Sequence, residues 1–149
     1  AITKTTPIRG KKQYKKDMPS IMAAHQIPYV ATACSSYPHD LFQKISKARK
    51  KKGTRYIHIL CPCPPGWQFD MDKTVEIGKL AVRSGIWILY EIENGLFKLT
   101  GESCNVVDPS KRISVKEYIK FQGRFRHLTE KQIETLRKLI DNRWRDLPS

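Results

Sequence analysis

No run of about eighteen consecutive apolar residues occurs in this sequence, which removes a membrane-spanning helix from consideration. The basic opening is not followed by an apolar stretch ending in small residues, so a signal peptide is unsupported. Cysteine is sparse: Cys34, Cys61, Cys63 and Cys104 are too thinly spread for a disulfide-stapled secreted domain, and reduced thiols are the expectation. No Cys-x-x-Cys pair is present, which argues against a self-contained zinc site or a complete iron–sulfur site. Any cluster bound here needs ligands from elsewhere. No internal repeat is visible. These absences describe a soluble, cytoplasmic protein without a membrane partner.

The chain has 149 residues, a length that fits one compact α/β unit. It begins at Ala1, and residues 1–16 hold threonine, proline, glycine and lysine among others with hardly any apolar pattern, the kind of start expected of a piece cut from a longer chain. The formal net charge of +14 invites a nucleic-acid reading, because lysine and arginine neutralise phosphates and release counterions. The charges are scattered through every segment, however, with one dense run from Lys47 to Lys52. Basic residues there also offset the dipole at the end of a helix. No recognition module or basic stripe with interleaved aromatics accompanies them, so nucleic acid is the lesser alternative.

The apolar pattern sets out the elements. Asp17 can cap a short helix with Pro19 in its first turn. Tyr29–Ala33 is short, apolar and uncharged, as expected of a strand covered on both faces. Pro38 opens a helix carrying Leu41, Phe42, Ile45 and Ala48 at helical spacing, with Gly53 beyond its end. Residues 56–61 read as a second strand. Strand, helix and strand in that order imply a doubly wound sheet whose ligands gather at the carboxyl ends of the strands, where the Cys61–Trp67 loop sits. A helix over 73–84, with Val75, Ile77, Leu80 and Ala81 largely inward, is followed by a strand over 86–92 and an Asn94-Gly95 hairpin turn into residues 96–99. The last third is helical, with capping boxes at Ser114/Glu117 and Thr129/Gln132. Residues 1–100 are expected to form an α/β unit, and residues 101–149 a helical extension packed on it or on a partner subunit.

Cys61-Pro-Cys63-Pro-Pro-Gly-Trp67 is the most unusual segment. The prolines after Cys63 stiffen the backbone and remove amide donors, while Gly66 permits a turn, so a thiol is presented from a rigid loop at a strand's end. That suits a metal ligand. By residue chemistry alone, a small buried hydrophobe outweighs ligation for either thiol. His58, inside an apolar strand, reads as a hydrogen-bonded core histidine rather than a base.

At these residues a family resemblance enters. The segments Ile27–Ala33, Tyr56–Leu60, Cys63-Pro-Pro-Gly-Trp67, Leu89–Gly95 and Gln122-Gly-Arg-Phe-Arg-His-Leu128 resemble, in the same order, the beta subunit of archaeal and bacterial pyruvate:ferredoxin oxidoreductases and their relatives acting on branched-chain 2-oxoacids. The resemblance runs from about Thr5 to Trp144, far more than one motif match. It implies the C-terminal half of a doubly wound thiamine-diphosphate-binding domain, with mostly parallel strands, a small antiparallel hairpin and C-terminal helices. The implied reaction is oxidative decarboxylation of a 2-oxoacid to acyl-coenzyme A, with electrons passed through a 4Fe-4S cluster to ferredoxin.

In such enzymes the beta subunit carries thiamine diphosphate, magnesium and the cluster, three of whose cysteine ligands lie in the N-terminal part and a fourth in a loop like this one. Cys63 matches that fourth ligand; Cys61 is the second choice. Cys34 matches a position of small residues, and no role is implied for Cys104. The Gly-Asp-Gly motif that holds magnesium and diphosphate is absent, as are the other three cysteines, so the resemblance implies no catalytic residue here and no named thiamine contact. The partners implied are the remaining part of the beta subunit, the alpha, gamma and delta-type subunits, and ferredoxin. The chain alone is expected to be inactive. A non-catalytic assembly subunit is the other alternative.

Overall fold

A computed structural model describes residues 15–148. Asp17 caps the first helix, α1 (Met18–Ala24), by accepting from the Ser20 amide, and Pro19 occupies its first turn, where a missing amide costs nothing. β1 (Tyr29–Cys34) is buried along its whole length. α2 (Pro38–Arg49) leads to β2 (Arg55–Leu60), which pairs parallel with β1 from Tyr29↔Arg55 to Cys34↔Leu60. A single turn, α3 (Pro64–Trp67), precedes α4 (Thr74–Arg83). β3 (Tyr90–Glu93) and β4 (Leu96–Leu99) form the hairpin across Asn94-Gly95, both at positive φ as that turn demands. α5 (Val115–Ile119) and α6 (Glu130–Arg145) close the chain. No helix among the described residues is long and apolar enough to cross a membrane.

The sheet order is β2-β1-β3-β4, with β3 antiparallel to β1. It is mixed, one parallel pairing and two antiparallel, and not mostly parallel within this chain. Residues 86–89, expected as part of a long strand, stand outside the ladder, which begins at Tyr90. Their backbone groups are satisfied by other partners. Thr32 Oγ1 donates to the Ile88 carbonyl (2.6 Å) and accepts from the Tyr90 amide (3.0 Å). Ser103 Oγ accepts from the Leu89 amide (2.7 Å), and the Leu89 carbonyl accepts from the Thr100 amide (3.0 Å). A buried backbone needs partners, not a particular ladder.

Successive strand residues face opposite sides of the sheet. On one side lies the main core, where Ile77, Ala81 and Val82 of α4, Tyr118 of α5, and Ile140 and Trp144 of α6 are buried together. Trp144 Nε1 donates to the Gly85 carbonyl (2.9 Å), tying the last helix to the end of α4. Val75 is instead 54% exposed, and Ile77, Gly78, Ala81 and Val82 form the inward stripe.

The other side departs further from the expected pattern. α2 turns Asp40, Lys44 and Ala48 inward, whereas Phe42 is 69% exposed and Ile45 40%. The cause is the charge on β3. Lys47 pairs with Glu91 (2.5 Å) and Lys51 with Glu93, so the polar flank of α2 is drawn over β3. Tyr29 donates to Glu91 (2.9 Å), and burial together with that carboxylate pushes the phenol well above its ordinary range. The apolar flank with Phe42 and Ile45 is left beside β2, where Ile59 is also 40% exposed.

The helix starts follow the capping signals in part. Thr129 and Gln132 make the full reciprocal box. Ser114 accepts from the Lys116 amide, but Glu117 turns away to pair with Lys120.

Candidate functional site

Because β1 and β2 are parallel and end in register at Cys34 and Leu60, both deliver their carboxyl ends to one rim. The segment leaving β2 at that rim is Cys61-Pro-Cys63. Cys61 and Cys63 are both exposed, so neither is a buried hydrophobe. Cys63 stands immediately before α3 with extended backbone (φ −111°, ψ 101°), and its carbonyl accepts from the Trp67 amide (2.9 Å). Pro64 and Pro65 lack the amides that would otherwise be orphaned in that first turn. A Cβ at Gly66 would lie 3.1 Å from the Cys63 sulfur, which therefore rests over a position that only glycine leaves free of crowding. The chain leaves the turn through Gln68 in left-handed conformation (φ 59°), with its amide bonded to the Pro64 carbonyl (2.8 Å).

Residues far along the chain back this turn. The Gly123 amide donates to the Gln68 carbonyl (2.8 Å), and the Arg124 guanidinium lies 3.8 Å from the centre of the Trp67 ring. Arg124 is itself anchored to the Tyr118 hydroxyl (3.0 Å) and to Gln122 Oε1 (2.9 Å). Burial lowers its pKa from the usual guanidinium range, opposed by Tyr118. Cys63–Trp67 and Gln122–Leu128 both carry the resemblance to one family, and the fold brings them into contact.

The other singled-out residues fall elsewhere. Cys34 is buried at the end of β1 with its sulfur 3.8 Å from the Gly78 carbonyl, and burial raises its thiol pKa, the profile of an inert packed cysteine. Cys104 is exposed at the end of a 3₁₀ turn, Gly101–Cys104. His58 is not held by hydrogen bonds as expected. Its Nδ1 is buried without a partner among the described residues, and the ring packs edge-on against Trp87 (5.2 Å) and Tyr56 (6.0 Å). Burial, then the charges of Lys15 and Arg143, lowers its pKa and favours the neutral ring.

Gly78 sets how closely α4 approaches the rim. A Cβ there would fall 1.9 Å from Ser36 Oγ, 2.7 Å from Ser36 Cβ and 3.2 Å from the Cys34 sulfur. Alanine gains about 1 kcal/mol of helix propensity over glycine, but overpacking a buried contact costs roughly 1–3 kcal/mol and sometimes more. Overpacking wins because Ser36 is itself buried and cannot swing away. Gly78→Ala is therefore expected to lower the unfolding free energy, measured by urea denaturation, by a net of about 2 kcal/mol, and Ser36→Gly in the same chain to recover most of it.

The donor set decides what metal chemistry the chain can offer. Among the described residues no group of three or more His, Cys, Asp or Glu side chains converges to hold a metal ion. A cysteine-ligated iron–sulfur cluster fits this rim only through one thiolate, Cys63 or its neighbour Cys61, with the remaining ligands supplied by other polypeptide. The chain has no Gly-Asp-Gly segment for magnesium and diphosphate.

No protein-family model matches the sequence. Individual relatives do. Pyruvate synthase subunit PorB of Methanocaldococcus jannaschii is 51% identical over 147 residues, covering 96% of this chain and 47% of that protein. PorB of Methanothermobacter marburgensis is 50% identical, covering 95% of this chain and 49% of that protein. Ketoisovalerate oxidoreductase subunit VorB of Pyrococcus furiosus is 41% identical over 138 residues, covering 92% of this chain and 43% of that protein. The chain thus spans about half the length of the curated relatives it matches.

Proposed function

We propose, for a chain that belongs among the beta subunits of 2-oxoacid:ferredoxin oxidoreductases, that it forms one half of such a subunit and contributes a single iron ligand to it. The reaction of the assembled protein is oxidative decarboxylation of a 2-oxoacid to acyl-coenzyme A with electrons delivered to ferredoxin, in the cytoplasm. The observation that carries this reading is the placement of Cys63: an exposed thiol on a proline-fixed turn at the carboxyl rim of the parallel strands. Cys63 would hold one iron of a 4Fe-4S cluster, with Cys61 as the second choice; the cluster supplies one-electron chemistry. Thiamine diphosphate with magnesium, held by residues outside this chain, supplies the electron sink for loss of carbon dioxide.

This chain's own residues fix the sulfur, limit water around it with Pro64, Pro65 and Trp67, and supply the sheet against which the rest of the subunit packs. The outer edge of β2 supports the last role. Among the described residues β2 has one neighbour, β1, and no lysine, proline or bulge interrupts Tyr56–Leu60, the usual defences of a free edge. Ile59, Ile45 and Phe42 form an exposed apolar shelf beside it. An added parallel strand from the other half of the subunit would cover both the edge and the shelf. The remaining partners are the alpha, gamma and delta-type subunits and ferredoxin.

The test is reconstitution. Combined with the polypeptide corresponding to the other half of its relatives and with the partner subunits, the chain is expected to support 2-oxoacid-dependent reduction of ferredoxin; alone it supports none. A correctly assembled, iron-loaded complex that reduces no ferredoxin with pyruvate, 2-oxoisovalerate or 2-oxoglutarate overturns the reading.

A further inference from the structure

We infer that Arg124 is a positioning residue for the Cys63 sulfur: stacked on Trp67 and fastened to Tyr118 and Gln122, it locks the turn that presents the thiol. The turn has only four residues, too few to hold its own helical form by backbone bonds. It also ends at Gln68 in a left-handed conformation that side chains other than glycine adopt at a cost. Something outside must hold it.

Two contacts do so from the segment after α5. Gly123 fits against Gln68 so closely that a Cβ would meet Gln68 Cβ at 2.9 Å and Oε1 at 3.0 Å, and its amide bonds the Gln68 carbonyl (2.8 Å). Arg124 then covers the Trp67 ring at 3.8 Å and the Phe125 ring at 4.4 Å. Its fork is aimed by Tyr118, a buried residue of α5, and by Gln122, also buried. A guanidinium over an indole is the strongest form of this contact when partly desolvated, and a planar fork can stack and hydrogen-bond at once. Trp67 is joined through its amide to the Cys63 carbonyl, so a shift of the ring moves the residue that bears the sulfur.

The inference rests on the iron-ligand reading only for its consequence at the cluster; the locking of the turn stands apart from it. Hydrogen exchange in the full chain tests the lock. In Arg124→Ala the amides of Trp67 and Gln68 are expected to exchange about tenfold faster or more, while those of β1 keep their wild-type rates. Arg124→Lys keeps the charge but not the fork and should fall between the two. Trp67→Leu should loosen the same amides, and the double variant should be no looser than either single one, because both remove one contact. In the assembled, iron-loaded complex, Arg124→Ala should release iron to a chelator faster and shift the cluster's midpoint potential, with Arg124→Lys restoring part of each.

Wild-type exchange at Trp67 and Gln68 in Arg124→Ala overturns the inference. If Arg124→Ala does not fold, Arg124→Lys and Trp67→Phe take its place, and wild-type exchange of the two amides in both overturns it equally. Loosened amides combined with iron content that survives Cys63→Ala would sink the iron-ligand reading and leave the positioning role standing.

Discussion

Cys63→Ala in the complex proposed for this chain is expected to remove the iron of one cluster and to cut 2-oxoacid-dependent ferredoxin reduction by more than about a hundredfold. The magnitude follows from position. Loss of a partner that merely orients a metal ligand costs about 10- to 100-fold, and loss of the ligand itself should exceed that. Cys61→Ala is the decisive comparison, since both thiols are exposed at the same rim. Each thiol is followed by a proline, but only Cys63 is further held by the Trp67 amide on its carbonyl and by the turn that Gly123 and Arg124 brace. A thiolate whose geometry is preset loses less freedom on binding iron, so Cys61→Ala should retain most of the iron. Cys34→Ala should leave iron content unchanged, because that sulfur is packed against the Gly78 carbonyl away from solvent. Iron analysis and the electron-paramagnetic signal of the reduced complex read all three variants. Full iron and full electron transfer in Cys63→Ala would remove the ligand assignment, and a collapse confined to Cys61→Ala would transfer it to the neighbouring thiol.

What could be read from the sequence was what local chemistry decides. Asp17 and Thr129 act as caps, Asn94-Gly95 turns a hairpin, Gly53 lies beyond the end of α2 at positive φ, and the unbroken apolar run of β1 is buried on both faces. Glu91 and Glu93, two positions apart, share one face of β3. Sequence and structure part where a distant residue changes the local answer. Residues 86–89 have strand composition but stand outside the ladder, where Thr32 and Ser103 supply their hydrogen bonds from far along the chain. Phe42 and Ile45 look inward by spacing and lie outward because the carboxylates of β3 draw the lysine flank of α2 over the sheet. At the candidate site the thiol and its stiff prolines are visible in one short segment. Arg124 is not, since nothing in Gln122-Gly-Arg-Phe announces that its guanidinium will lie over an indole more than fifty positions earlier; only the family resemblance points to both segments.

Lys44 gives the largest stability effect the fold predicts, and the least visible one in the sequence, where it passes for one more surface lysine. It is 1% exposed, and its ammonium reaches the Thr32 carbonyl (2.7 Å) and Asp40 Oδ2 (2.6 Å). β3 pairs with β1 only as far as Ala31, so the Thr32 carbonyl lies beyond the antiparallel register, and Lys44 supplies it with a donor. Burial pushes the Lys44 pKa below its ordinary value, opposed by the hydrogen bond and charge of Asp40. Lys44→Ala leaves a buried carboxylate and a buried carbonyl without their cation, and breaking a buried pair from one side costs about 3–5 kcal/mol. In a chain of this size that lowers the melting temperature by about 10 °C. Lys44→Met with Asp40→Leu removes both charges together, and a buried ion pair replaced by apolar groups of similar volume is often neutral or stabilising. The Thr32 carbonyl still lacks its donor, at about 1–3 kcal/mol, so the double variant should recover a large part of the loss but not all of it. Urea unfolding of the single and double variants measures the difference directly. If Lys44→Ala proves as stable as wild type, the ammonium is solvated in the native protein and the carbonyl of Thr32 has found water in its place.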